Sequence, residues 1–153
     1  EKKMPTISNR FKLFLILVIF ISLLMIPDYN YFTSQKVIIK DAHLYLPLEG
    51  KDMAAGYLRI TNKHNTNIVI NSIECEKVSA SLHETIIDSE GVIKMQKLAF
   101  FSIDPETNID FMPGGKHIMF SGFNQFEEKD LKCKFGSNIG LKIPFTFEVL
   151  THE

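Results

Sequence analysis

An all-β body behind a short apolar leader is the fold that this sequence predicts. Apolar and polar residues alternate over short stretches, with turn residues intervening about every 8 to 12 positions. No stretch after residue 36 keeps a helical period for more than two turns. Thirteen Phe and no Trp, among many Ile and Val, suit the faces of packed sheets. An antiparallel sandwich or small barrel over residues 36–153 follows, in a chain whose 153 residues suit one domain.

The strands are expected in this order. Val37 to Leu46 is the first, with a loop from Pro47 to Asp52. Gly56 to Asn62 is the second, closed by the polar run Lys63 to Asn67. Asn67 to Glu76 follows, and its phase slips because Ile68 and Ile70 differ in parity from Ile73 and Cys75. A bulge near Asn71-Ser72 reconciles them. Ala80 to Ile87, Val92 to Leu98, Thr107 to Met112, His117 to Phe123 and Leu131 to Phe135 come next. The last strand alternates most clearly, with Ile139, Leu141, Ile143, Phe145, Phe147 and Val149 inward and Pro144 outward. An outward Pro suits an edge position or a bulge.

Residues 1–35 are set apart. Lys2, Lys3, Arg10 and Lys12 precede the apolar run Leu13 to Ile26, which only Ser22 interrupts and Pro27-Asp28 ends. A basic start and a short apolar run form an export signal, or an anchor facing the body outside the cytoplasm. The run falls slightly short of the roughly 20 residues of a spanning helix. No small-residue cleavage site follows it, and no nearby Cys could take a lipid.

The net charge of −1 hides an asymmetry: without the four bases and one acid of residues 1–26, it becomes −4. A mildly acidic body lacks the basic face that phosphate backbones need, so nucleic acid is excluded as a partner. Carboxylates are scattered, and neither a Gly-x-Ser-x-Gly elbow nor a glycine-rich phosphate loop is present. These absences point away from an enzyme.

The chemistry that stands out is soft. On the strand Lys116 to Phe120, His117 and Met119 project from one face while Ile118 and Phe120 enter the other. The turn Met112-Pro113-Gly114-Gly115 precedes the pair and aims it. His83 and Met95 flank a hairpin-like Asp88-Ser89-Glu90-Gly91 that can bring them to one end of the sheet. Thioethers are poor ligands for hard cations, and zinc prefers Cys, His or carboxylate. Two His and two Met suit Cu(I).

These residues also carry a resemblance. His83, ten residues after Glu84, Met95, twenty-one residues, then His117-Ile118-Met119 match the spacing of the periplasmic copper chaperones of the PCuAC type. Chance delivers that spacing in roughly 2 of 10,000 such chains, so the motif is specific. Met53 to Asn62, Leu82 to Thr85 and Pro113 to Met119 resemble family words too, and the likeness covers about residues 37 to 150. It implies a cupredoxin-like Greek-key sandwich binding Cu(I) through His83, Met95, His117 and Met119. It further implies a periplasmic carrier that supplies a membrane cuproenzyme, such as the copper centre of cytochrome c oxidase, directly or through a thiol-bearing carrier. Glu84 departs from the pattern where many members carry Met, and a second copper site in a His- and Met-rich tail is not expected.

Two other classes stay open. An electron-transfer cupredoxin needs a Cys thiolate beside two His and a Met, and neither Cys75 nor Cys133 lies near such a set. A metal-free exported sandwich would make the four ligands a coincidence. Cys75 and Cys133 share inward parity; two free buried thiols are expected, with a bridge as the alternative in an oxidising compartment. His43 and His64 have no partner at metal spacing; Met53 and Met112 sit near the motif words, with packing in the core or at the rim expected and an approach to the site as the alternative.

Overall fold

Alternation sorts each strand into a face for the core and a face for solvent, and the pairing follows from it. The computed structural model describes residues 9–24, 36–47, 51–123, 126 and 128–151. One helix, α1 (Asn9–Leu24), precedes ten strands: β1 (Val37–Tyr45), β2 (Met53–Asn62), β3 (Ile68–Cys75), β4 (Ser79–Ile87), β5 (Ile93–Lys97), β6 (Phe101–Ile103), β7 (Asn108–Phe111), β8 (Lys116–Ser121), β9 (Asp130–Ser137) and β10 (Lys142–Leu150). They form one curled sheet in the order β5-β4-β8-β7-β2-β1-β10-β9-β3-β6, with β8 also pairing β2. The all-β expectation holds.

Curling turns one face of the sheet inward. Phe120 of β8 meets Phe147 of β10 edge-to-face at 5.2 Å, and Phe101 of β6 meets Phe111 of β7 at 5.2 Å. Leu44, Ile60, Ile68, Ile103, Ile118 and Phe135 are fully buried around them. Each such side chain contributes about 1.5–3 kcal/mol when removed from water. Asn62 is also fully buried, and its amide donates to the carbonyls of Thr66, Ile103 and Asp104 at 2.8, 3.1 and 3.2 Å. The polar run 63–67 is therefore tied down as the tight connection expected of it.

The expected bulge in β3 is present: Ile70 pairs Ser137 and Ser72 pairs Gly136, so Asn71 is extra. Pro144 lies outward, opposite Lys134 of β9. On its other side β1 meets β10 only at Glu148, Val149 and Leu150, so Pro144 forfeits no ladder bond there. Three expectations need correcting. The sheet is mixed, because β1 pairs β10 in parallel and β7 pairs β8 in parallel. Hairpin signals speak only of consecutive strands, and these pairs are distant in the chain or joined by a turn. Phe101–Ile103 is a strand too short to show a period. Ile139, expected inward, is 52% exposed and precedes β10.

Cys75 and Cys133 are disulfide-bonded, not free. They face each other across β3 and β9 with Cα atoms 4.1 Å apart, so register alone makes the bond. A link across 58 residues of chain contributes about 4 kcal/mol by restricting the unfolded state.

The helix α1 spans 16 residues, and its side chains from Leu13 to Ile21 are exposed. At 1.5 Å per residue it is about 24 Å long, against a hydrocarbon core of about 30 Å. Among the described residues, no helix is long and apolar enough to cross a membrane. The remainder of the leader, residues 1–8 and 25–35, and the end of the chain at 152–153 lie outside the described residues. So does part of the Pro47 to Asp52 loop.

Gly56 of β2 lies opposite Ile118, and a Cβ there would come 2.5 Å from Phe120 and 3.0 Å from Phe147. Gly56→Ala should destabilise the protein by about 1–3 kcal/mol in urea unfolding, because two core rings must shift.

Candidate metal centre

The centre begins with one register. β4 and β8 pair antiparallel, with Leu82 opposite Ile118 and His83 opposite His117. Leu82 and Ile118 are buried in the core, so the adjoining His side chains stand together on the outer face. Their ring centroids are 5.9 Å apart.

The turn before β8 sets the second ring. Gly115 N–H donates to the Met112 carbonyl at 3.0 Å, with Pro113 and Gly114 between them. Gly114 has φ +80°, the backbone that a type II turn demands at that position. The Gly115 carbonyl then accepts the Thr85 N–H of β4 at 3.1 Å and His117 Nδ1–H at 3.0 Å. A carbonyl only accepts, so Nδ1 carries the proton and Nε2 keeps its lone pair. His83 Nε2 lies 3.1 Å from Ser81 Oγ.

What remains is the telling feature. His83 Nδ1 and His117 Nε2 are buried without a hydrogen-bond partner, and among the described residues no other side-chain nitrogen or oxygen is. A buried unpaired polar atom costs about 1–3 kcal/mol. Two such atoms on facing imidazoles suit a shared ion. Burial, then the neighbouring His117, then Lys97 push the His83 pKa below its ordinary 6.5. The ring therefore stays neutral, the form that ligates, into mild acid.

Both expected methionines lie on the same outer face. Met119 is one pleat beyond His117, opposite Ser81 on β4 and Ala55 on β2. Met95 is opposite Thr85 on the edge strand β5, one pleat from Lys97, which itself stands opposite His83. Met95 is thus a diagonal neighbour of His83 and is 64% exposed. Among the described residues, no group of three His, Cys, Asp or Glu could supply a harder site.

Glu84 points to the opposite face from His83 and pairs with Lys116, so it does not substitute for a thioether. One neighbour was missed in the sequence. Lys97 faces His83 directly, and only strand register reveals it. Met53, expected at the core or rim, is 59% exposed and lines a depression of about 230 Å³ with Ser81, His83, Lys97, Met119 and Ser121. Met112, 50% exposed, borders a separate depression with Asp41, His43 and Arg59. His43 Nδ1 is held by the Asp41 carbonyl at 2.9 Å, away from the pair. A larger depression of about 480 Å³ lies over Cys75 and Cys133, whose sulfurs are bonded to each other.

Solved structures share this fold. The copper-bound PCuAC domain from PmoF2 superposes with a TM-score of 0.62 at 15% identity, over 76% of this chain and 94% of that one. The apo PCuAC domain from PmoF1 gives 0.64 at 18%, over 76% and 95%. Apo-DR1885 from Deinococcus radiodurans gives 0.56 at 18%, over 76% and 80%. By sequence, protein RP573 of Rickettsia prowazekii (strain Madrid E) is 37% identical over 68 residues, 43% of this chain and 37% of that protein. The match thus spans little more than a third of that relative's length. The family model for LpqE-like lipoproteins matches residues 37–150, the whole β body, and lipoproteins are exported, as the basic start and apolar run lead one to expect. On the strength of that match, the chain belongs to the LpqE-like family, with a body of the PCuAC fold.

Proposed function

We propose that this chain is a Cu(I) carrier outside the cytoplasm, binding one ion through His83, Met95, His117 and Met119. The observation that carries the proposal is the pair of buried, unpartnered imidazole nitrogens beside two thioethers on one sheet face. Imidazole and thioether are neutral, so they hold a monovalent cation without excess charge. That the fold is shared with a copper-bound PCuAC domain supports the assignment. The chain is a carrier and not a catalyst: the site lies at the open surface, where a thiolate-rich acceptor can displace its thioethers from the ion. The acceptor is a membrane cuproenzyme of the cytochrome c oxidase kind, reached in the periplasm directly or through a thiol-bearing carrier. The blue-copper alternative loses its thiolate, since both cysteines are in the disulfide.

Competition titration with a Cu(I) chelator should give one ion per chain, with both nitrogen and sulfur scatterers in X-ray absorption. Cu(I) should bind far more tightly than Cu(II), for which thioethers are weak ligands. Met119→Leu should weaken Cu(I) binding about tenfold or more at every pH, a loss of about 1.4 kcal/mol. A shell of nitrogen and oxygen alone would exclude the thioethers.

Affinity should fall in acid without vanishing, because the His83 imidazole gains a proton there and the thioethers do not. His83→Gln should flatten that slope in titrations between about pH 5 and 8.

The copper-free protein should respond to acid as well. With its pKa lowered in the folded state, His83 takes up its proton more readily in the unfolded chain. Stability should therefore fall as pH drops through about 6.5 and level off below the folded value. Urea midpoints at several pH values, for wild type and His83→Gln, check this.

A further inference from the structure

We propose that Met53 is an accessory thioether through which Cu(I) leaves, sharing the ion with Met119 on the side away from Met95. The proposal rests on the Cu(I) reading of the His pair and deepens it. On β2, Ala55 lies opposite Met119 and Met53 lies opposite Ser121, so Met53 and Met119 are diagonal neighbours on the outer face. Diagonal partners sit about 7–8 Å apart at the backbone, within reach of two long flexible side chains. The same depression that touches His83 and Met119 also touches Met53.

Charge gives the route a direction. The Lys97 ammonium stands at the β5 end of that depression, and a cation departing there meets repulsion. The Met53 end carries the uncharged Ser79 and Ser121, and Asp52 adjoins it. The Asp52 carboxylate accepts from the Gly122 and Phe123 N–H groups at 3.0 Å each, which fastens the start of β2 to the end of β8. Met53, 59% exposed, is thus a soft ligand held at an open mouth. Cu(I) exchanges ligands by gaining an incoming donor before losing an old one, with no change of oxidation state. Met53 would join as an imidazole departs, and an acceptor thiolate would then displace both thioethers.

The test uses the full chain with ¹³C-methyl-labelled Met, titrated with Cu(I) under reductant. The Met53 methyl signal should shift with those of Met95 and Met119. In Met53→Leu, transfer to a competing chelator should slow about fivefold, as expected for a group acting on the barrier to release. A Met53 signal that stays fixed while Met119 shifts, or an unchanged transfer rate, overturns the proposal and leaves the Cu(I) site standing. Unmoved signals from all three methionines overturn the Cu(I) reading itself. Unchanged backbone amide shifts in the variant exclude misfolding as the cause.

Discussion

The antiparallel register between β4 and β8 is the constraint on which the centre depends. Leu82 opposite Ile118 and Ala80 opposite Phe120 lock one face of the ladder into the core. Strand side chains alternate with a period of two, so the intervening His83, His117 and Met119 have no choice but the outer face. A slip of either strand by one residue would turn that strand's imidazole inward and its core side chains outward. The core thus enforces the site without touching it. Gly56 shares in this, since its missing Cβ lets Phe120 and Phe147 close beneath the same ladder.

Burial makes the two rings competent as ligands. One nitrogen of His117 is committed to the Gly115 carbonyl, and one of His83 lies against Ser81. The other nitrogen of each is shut away from water without a partner. The fold tolerates that cost at these two atoms among all those described, and proteins accept such costs chiefly where function repays them. Burial, then His117 and Lys97, disfavour the protonated state of His83, which keeps its lone pair available. The edge strand β5 presents Met95 on the exposed side, so the site is firm at its centre and open at its rim.

The disulfide shows where local pattern falls short. Parity alone told that Cys75 and Cys133 face inward, but parity is silent on which strands adjoin. β3 and β9 lie far apart in the chain and next to each other in the sheet. The same reason hid the parallel pairing of β1 with β10 and the nearness of Lys97 to His83. Glu84, standing where many members of the family carry Met, proves to be an ion-pair partner of Lys116 on the opposite face.

From the sequence alone came the all-β class, nine of the strands, the β3 bulge, and the four residues that stand together on the outer face. These are legible because a period of two, turn residues and fixed spacings are local properties of the chain. The tertiary structure decided the rest: which strands are neighbours, that the two cysteines bond, that each imidazole is left with one orphaned nitrogen, and that Met53 shares a depression with His83 and Met119. Each of those depends on contacts between residues far apart in the chain. Such contacts form only when the curled sheet has chosen its order.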